Sequence, residues 1–229
     1  MRDVRVLLTG IFVFFTVTQV MAAPAYGTKM PKKGEVFWGY QHHAVLDRDL
    51  NKNHGSMTSQ QDHILLSYGV ADWLSLDLKA SRGTFTHKAS DGDSEKYTKP
   101  LWGGGYGFRV RLFEKGPWKA VAGFQHISIH PEPLKGNGVK HTSILDDWQV
   151  SSLVSYSLRP VTPYVGVRYG TLDYIHYTNN DGDRHLTDER RRTDLILGCD
   201  IPVTDRVWVN LEGQGGAGQA VSASLNFHF

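Results

Sequence analysis

The 229-residue sequence has a single cysteine, Cys199, which excludes an intramolecular disulfide and any cysteine-built metal centre. Beyond Val20 it lacks any apolar run near the ~20 residues that a spanning helix needs. Charge of one sign is also missing. Lys and Arg number 25 against 23 Asp and Glu, a net +2 that argues neither for nor against a polyanionic partner, and no nucleic acid is expected. There is no low-complexity segment, no second domain and no repeat beyond a hairpin period. No G-x-S-x-G elbow occurs. The run Gly103-Gly104-Gly105-Tyr106-Gly107 leads into a strand rather than a helix, so it is no phosphate loop; close packing or curvature inside a β structure is its expected role.

What is present begins at the amino terminus. Arg2 and Arg5 precede the apolar stretch Val6 to Val20, and Ala23-Pro24-Ala25 fits an A-x-A cleavage site. Residues 1–25 therefore read as a cleaved secretory signal. No cysteine follows it closely enough to support a lipid anchor. Residues 26–33 read as a short lead-in, where Pro31 and three lysines discourage regular structure, and residues 34–229 as one domain.

That domain alternates. Leu74, Leu76, Leu78 and Ala80 share one face, as do Tyr106, Phe108, Val110 and Leu112, and Leu195, Leu197, Cys199 and Ile201. Trp148 to Leu158 alternates apart from Ser152 and Leu153, and Val207 to Glu212 alternates throughout. Weaker versions run through 36–44, 64–68, 118–124 and 165–169. With Val221–Phe229 these make ten segments, most extensible to the ~9–11 residues of a tilted membrane-crossing strand. Their connections sort into short turns (71–72, 114–117, 159–163, 202–205) and mostly longer polar loops (46–61, 82–100, 130–143, 177–188, with a brief 213–219). Trp73 and Trp118 follow short turns, and Trp102 and Trp148 lie toward the long loops, as two interfacial aromatic girdles require.

In Val221–Phe229 five apolar residues face one way, four polar residues face the other, and the last residue is Phe229. This segment resembles the closing strand of bacterial outer-membrane β-barrels. Ser67-Tyr68-Gly69-Val70-Ala71-Asp72-Trp73-Leu74 resembles their YG-turn hairpins. The resemblance implies an all-β, up-and-down antiparallel transmembrane barrel; the ten segments point to ten strands, with eight or twelve as alternatives. It implies a porin-like cell-surface protein in the outer membrane of a Gram-negative-type bacterium. It also implies that Phe227 and Phe229 form the assembly signal read by the barrel-assembly machinery. Outer-membrane lipid is the other expected partner, the chain is expected to be a monomer, and no cofactor is expected.

On the inward parity lie Asp77, Lys79, Arg109, Arg111, Asp147, Arg168, Arg192, Asp194, Asp200 and Glu212. Both signs are mixed, as a charged network filling a narrow lumen requires. The expected role is structural, surface-interaction or narrow-channel; a passive pore for small solutes is the alternative, set by charged rings. Arg190-Arg191-Arg192 suits either lipid phosphates or a solvated strand end. The eleven histidines are not expected to form a metal site. His126 and His130 would lie roughly 13 Å apart along a strand, and the adjacent His42 and His43 would face opposite ways. Finally, Asp91 and Asp93 in the second long loop and Asp183 and His185 in the fourth could activate a water. These residues resemble the acidic pair and Asp-x-His of omptin proteases, which implies a surface endopeptidase as the enzymatic alternative. Asp-Gly-Asp is also ordinary turn chemistry.

Overall fold

A computed structural model describes residues 27–50, 54–92, 94–136, 138–178, 193–216 and 218–229, and residues 185–188 by backbone alone. Among them thirteen strands form one antiparallel sheet. They are β1 (Val36–Asp49), β2 (Ser56–Ala71), β3 (Leu74–Lys88), β4 (Ser94–Tyr97), β5 (Pro100–Lys115), β6 (Trp118–Pro131), β7 (Leu134–Gly136), β8 (Val139–Tyr156), β9 (Thr162–Thr178), β10 (His185–Asp188), β11 (Thr193–Pro202), β12 (Val207–Gly215) and β13 (Gly218–His228). Three are short appendages: β4 on β3, β7 on β8 and β10 on β9. The other ten pair in sequence order, and β13 returns to β1 from Phe37↔His228 to Arg48↔Gly218, so the barrel closes without an edge.

Aromatic packing reinforces the closing seam. Trp38 and Phe227 are direct partners and stack at 4.4 Å, and Phe229 stacks on the same indole at 6.3 Å. The Phe229 amide also donates to the Val36 carbonyl at 3.0 Å. Alternation holds through Ser152 and Leu153. No bulge interrupts the pairing there, and Leu153 points into the lumen against Tyr164 and Ile196.

Side-chain exposure divides the wall by height. Near the short turns and through the middle, Ile64, Leu66, Leu76, Leu78, Phe108, Val150, Val167 and Leu197 point outward and are exposed. Among the described residues this apolar belt has no protein partner, and its extent is that of a lipid-facing surface rather than a wet one. Nearer the long loops the pattern reverses. Inside lie Met57, Phe85, Ile127, Ile129, Leu145, Leu172 and Tyr174 as one apolar cluster. Their strand neighbours Thr58, Thr86, His126, Ser128 and Asp146 take the outer face. β8 has 18 residues and β9 has 17, against the ~9–11 that cross a bilayer. The wall thus rises beyond the lipid, and there it is built like a water-soluble barrel.

Candidate functional site

The lumen is filled from the short-turn end by the chain itself. Gly27 reaches positive φ (+68°), and a Cβ there would lie 2.9 Å from Asn210 Nδ2 and 3.0 Å from Asp200 Oδ2, so only glycine fits this approach. The Thr28 hydroxyl donates to Ser155 Oγ at 2.7 Å. The Lys29 carbonyl accepts from Arg109 Nη1 at 2.9 Å, and its ammonium sits 3.9 Å over the Trp208 ring. Burial lowers the Lys29 pKa, opposed by the nearby Asp200 carboxylate.

Above this plug lies the charged layer. Arg109 clasps Asp77 through Nε and Nη2 at 2.9 and 3.0 Å. Arg168 donates to Asp194 at 2.9 and 2.6 Å, to Asp147 at 3.2 Å and to Gln149 at 3.2 Å. Lys79 donates to Gln125 at 2.9 Å. The Tyr164 hydroxyl donates to Glu212 at 2.8 Å and accepts from Asn210, which also reaches Asp200 at 2.8 Å. Asp77, Lys79, Arg109, Asp147, Arg168, Asp194, Asp200 and Glu212 are all buried. Arg111 stands apart from them: near the short-turn end its Nη1 reaches Glu114 at 2.9 Å. Arg192 lies outside the described residues. Charge does not fill the whole lumen, because the apolar cluster occupies its upper part.

Cavities in this interior include two of about 20 Å³ each, room for about one water apiece. The first is lined by His43, Arg48 and Asp147 among others. Both ring nitrogens of His43 and of His63 are buried without a protein hydrogen-bond partner, so ordered water is the expected partner.

On the outer face, β6 presents His126, Ser128 and His130 side by side. Ser128 is the direct partner of Asp146 on β8 and of Gly104 on β5. The Ser128 hydroxyl lies 2.9 Å from His130 Nε2, and His126 Nε2 lies 3.0 Å from Asp146 Oδ1. Parallel stacking on Trp102 at 3.8 Å clamps His130, and Trp148 lies 3.9 Å from His126. Gly104 is the β5 partner of Ser128 in this patch, whereas a Cβ at Gly103 or Gly105 would collide with the β6 backbone, the close packing expected of the glycine run. Sequence reasoning missed this group. The signal was His-x-Ser-x-His, which on a strand puts all three on one face.

At the mouth, β4 folds inward so that Tyr97 caps the apolar cluster, stacked on Phe85 at 4.5 Å. Glu95 thereby meets His141 of β8 at 3.3 Å and His176 of β9 at 3.7 Å, and the two histidine nitrogens are 3.3 Å apart. These three are the described residues able to hold a metal ion. No metal site is legible in the sequence, because β4 is a four-residue strand inside a long polar loop. Asp91 is exposed in the β3–β4 connection, where Gly92 (φ +99°) turns the chain. Asp93 and Asp183 lie outside the described residues. His185 is described only as the backbone partner of His176.

A closed antiparallel barrel with an apolar belt outside and a polar, plugged interior defines a transmembrane β-barrel of the outer-membrane class. No family model matches the sequence, and no curated protein matches it. Among solved structures it is similar to the translocator domain of the autotransporter NalP from Neisseria meningitidis, at 10% identity over 89% of this chain and 90% of that one, with a TM-score of 0.47. It is also similar to the outer membrane protease OmpT from Escherichia coli, at 6% identity over 90% and 100% of the two chains, with a TM-score of 0.42. An outer membrane channel from Pseudomonas putida F1 gives 11% identity over 91% and 100%, with a TM-score of 0.40.

Proposed function

We propose that this protein is an outer-membrane barrel with a sealed lumen, whose function is carried on its outer side and not by conduction. The observation that carries the proposal is the interior. Side chains from Gln41, His43, Arg48, His63, Arg168 and Gln214 are less than 2% exposed, and the cavity beside His43 and Arg48, about 20 Å³, has room for about one water. In this reading the long loops face outward from the cell and the Phe227–Phe229 end serves assembly. Trp38 and Phe227 meet at the seam on which that assembly ends. Purified protein in planar bilayers is expected to show no steady conductance; stable single-channel steps would overturn the sealed-lumen reading.

The Ser128 patch favours a second reading, hydrolysis of an ester in outer-leaflet lipid. Ser128 sits near the height where the wall changes from lipid-facing to water-facing, which is the level of lipid ester bonds. His130 Nε2 is placed to take the serine proton as Oγ attacks an acyl carbonyl and to return it to the alcohol that leaves as the ester C–O bond breaks; water then cleaves the acyl-serine and releases the fatty acid. Its ring is held by Trp102. With lipid-reconstituted protein, Ser128→Ala is expected to abolish release of fatty acid. His130→Gln is expected to lower the rate by about 10²–10⁴. Release that survives Ser128→Ala, or none from the unaltered protein, removes this reading.

A further inference from the structure

Three donor atoms from three separate elements meet at the barrel mouth: Glu95 Oε1 on β4, His141 Nδ1 on β8 and His176 Nε2 on β9. Their separations are 3.3, 3.3 and 3.7 Å. A tetrahedral ion with bonds of about 2.0–2.1 Å has ligand–ligand edges of about 3.3–3.4 Å. Two edges of the triangle match one face of that tetrahedron, and the third, Glu95 to His176 at 3.7 Å, needs to close by only a few tenths of an ångström. We propose that Glu95, His141 and His176 bind one divalent transition-metal ion of the zinc class.

The surroundings are built to present these atoms. Glu95 Oε2 accepts from the Tyr97 hydroxyl at 3.2 Å and the Tyr174 hydroxyl at 3.3 Å. Both bonds engage the second oxygen and leave Oε1 directed at the imidazoles. The Ser143 hydroxyl donates to Tyr97 at 2.7 Å and fixes the phenol in turn. Tyr174 and His176 lie nearly parallel, 7° apart, at 6.2 Å. Such outer partners set ligand orientation in metal sites. His87 packs on the Tyr174 ring at 4.8 Å but turns its Nε2 to the His54 carbonyl at 2.8 Å, so it braces the site and does not complete it.

Donor chemistry selects the ion. Two imidazoles and one carboxylate suit zinc, copper or nickel, whereas calcium and magnesium prefer all-oxygen sets. Three protein ligands leave the fourth corner to water or to a donor of a bound molecule, as in open rather than closed zinc sites. The site would also tie the β4 flap to the β8–β9 wall. The competing arrangement is a proton-shared cluster in which one imidazole donates to the other and to the carboxylate.

The test uses full-length protein in detergent micelles, stripped with chelator and titrated with Co²⁺, with Zn²⁺ as competitor. One equivalent of Co²⁺ is expected to give the intense visible absorption of four-coordinate cobalt, displaced by one equivalent of Zn²⁺. Glu95→Gln, His141→Ala and His176→Ala are each expected to weaken binding at least tenfold. His42→Ala, on the outer wall, leaves it unchanged. Tyr97→Phe is expected to weaken it about tenfold, through loss of the bond that orients Glu95. In the unaltered protein, Zn²⁺ is expected to shield His141 and His176 from diethyl pyrocarbonate while His42 still reacts. Absence of the cobalt band, unchanged affinity in the folded variants, or undiminished modification of His141 and His176 would overturn the proposal.

Discussion

Arg168→Ala is expected to destabilise the barrel by about 3–5 kcal/mol, the cost of breaking a buried ion pair by removing one partner. Arg168 is 1% exposed, and its partners Asp194 and Asp147 are 0% and 6% exposed. It bridges β8, β9 and β11, so its loss removes the guanidinium bonds to the buried Asp194 and leaves Asp147 the longer contact to Arg48 at 3.9 Å. The measurement is the urea midpoint of the folded band on detergent gels, supported by tryptophan fluorescence. Replacing Arg168→Met together with Asp194→Asn, which leaves Asp147 to Arg48, is expected to recover most of the loss, because a neutral group costs far less to bury than a lone charge. If Arg168→Ala has an unchanged midpoint, the charged layer is not the structural element described here.

Gly198→Ala is the second large effect, at about 1–3 kcal/mol of destabilisation from overpacking. The Tyr164 ring lies over Gly198, and an added Cβ would stand 2.6 Å from Tyr164 Cε2. The ring has no easy retreat, because its hydroxyl is held by Glu212 and Asn210. Backbone freedom is not the issue at this position; space is. The signature is non-additivity: with Tyr164→Ala already present, Gly198→Ala is expected to cost little further. Full additivity of the two changes would sink this account.

The barrel was legible because its signal is repetitive. Face alternation in Leu74–Ala80, Tyr106–Leu112 and Leu195–Ile201, together with the two classes of connection, specifies an antiparallel meander. The Val221–His228 strand then needs a partner, and β1 is the one that remains. The charged residues were readable for the same reason, since parity alone sends Asp77, Arg109, Arg168 and Asp194 inward. Which of them pair was not readable. Arg109 meets Asp77 diagonally on the neighbouring strand because of the register of β3 against β5, a quantity that no local pattern encodes. Arg111 shares Arg109's parity yet bonds Glu114, because one further step down the strand brings it to the rim.

The chemistry outside was the least legible part. Ile127 and Ile129 read as an ordinary apolar face until it is known that β6 has left the lipid at that height. His126, Ser128 and His130 then change from a lipid-facing row to an accessible one. Glu95 was hidden differently, since its loop offers no alternation and only the fold brings it across the mouth to His141 and His176.

The reversal of faces partway up the wall gives each position two addresses, side and elevation, and tolerance depends on both. Serine in place of Ile64 would put a hydroxyl into hydrocarbon, whereas serine at 128 already sits on the same outer side, farther along its strand from the short turn. The strands therefore act as a depth gauge. Where the oily residues cross from the outside of the wall to the inside, the protein records the surface of the membrane it was made for.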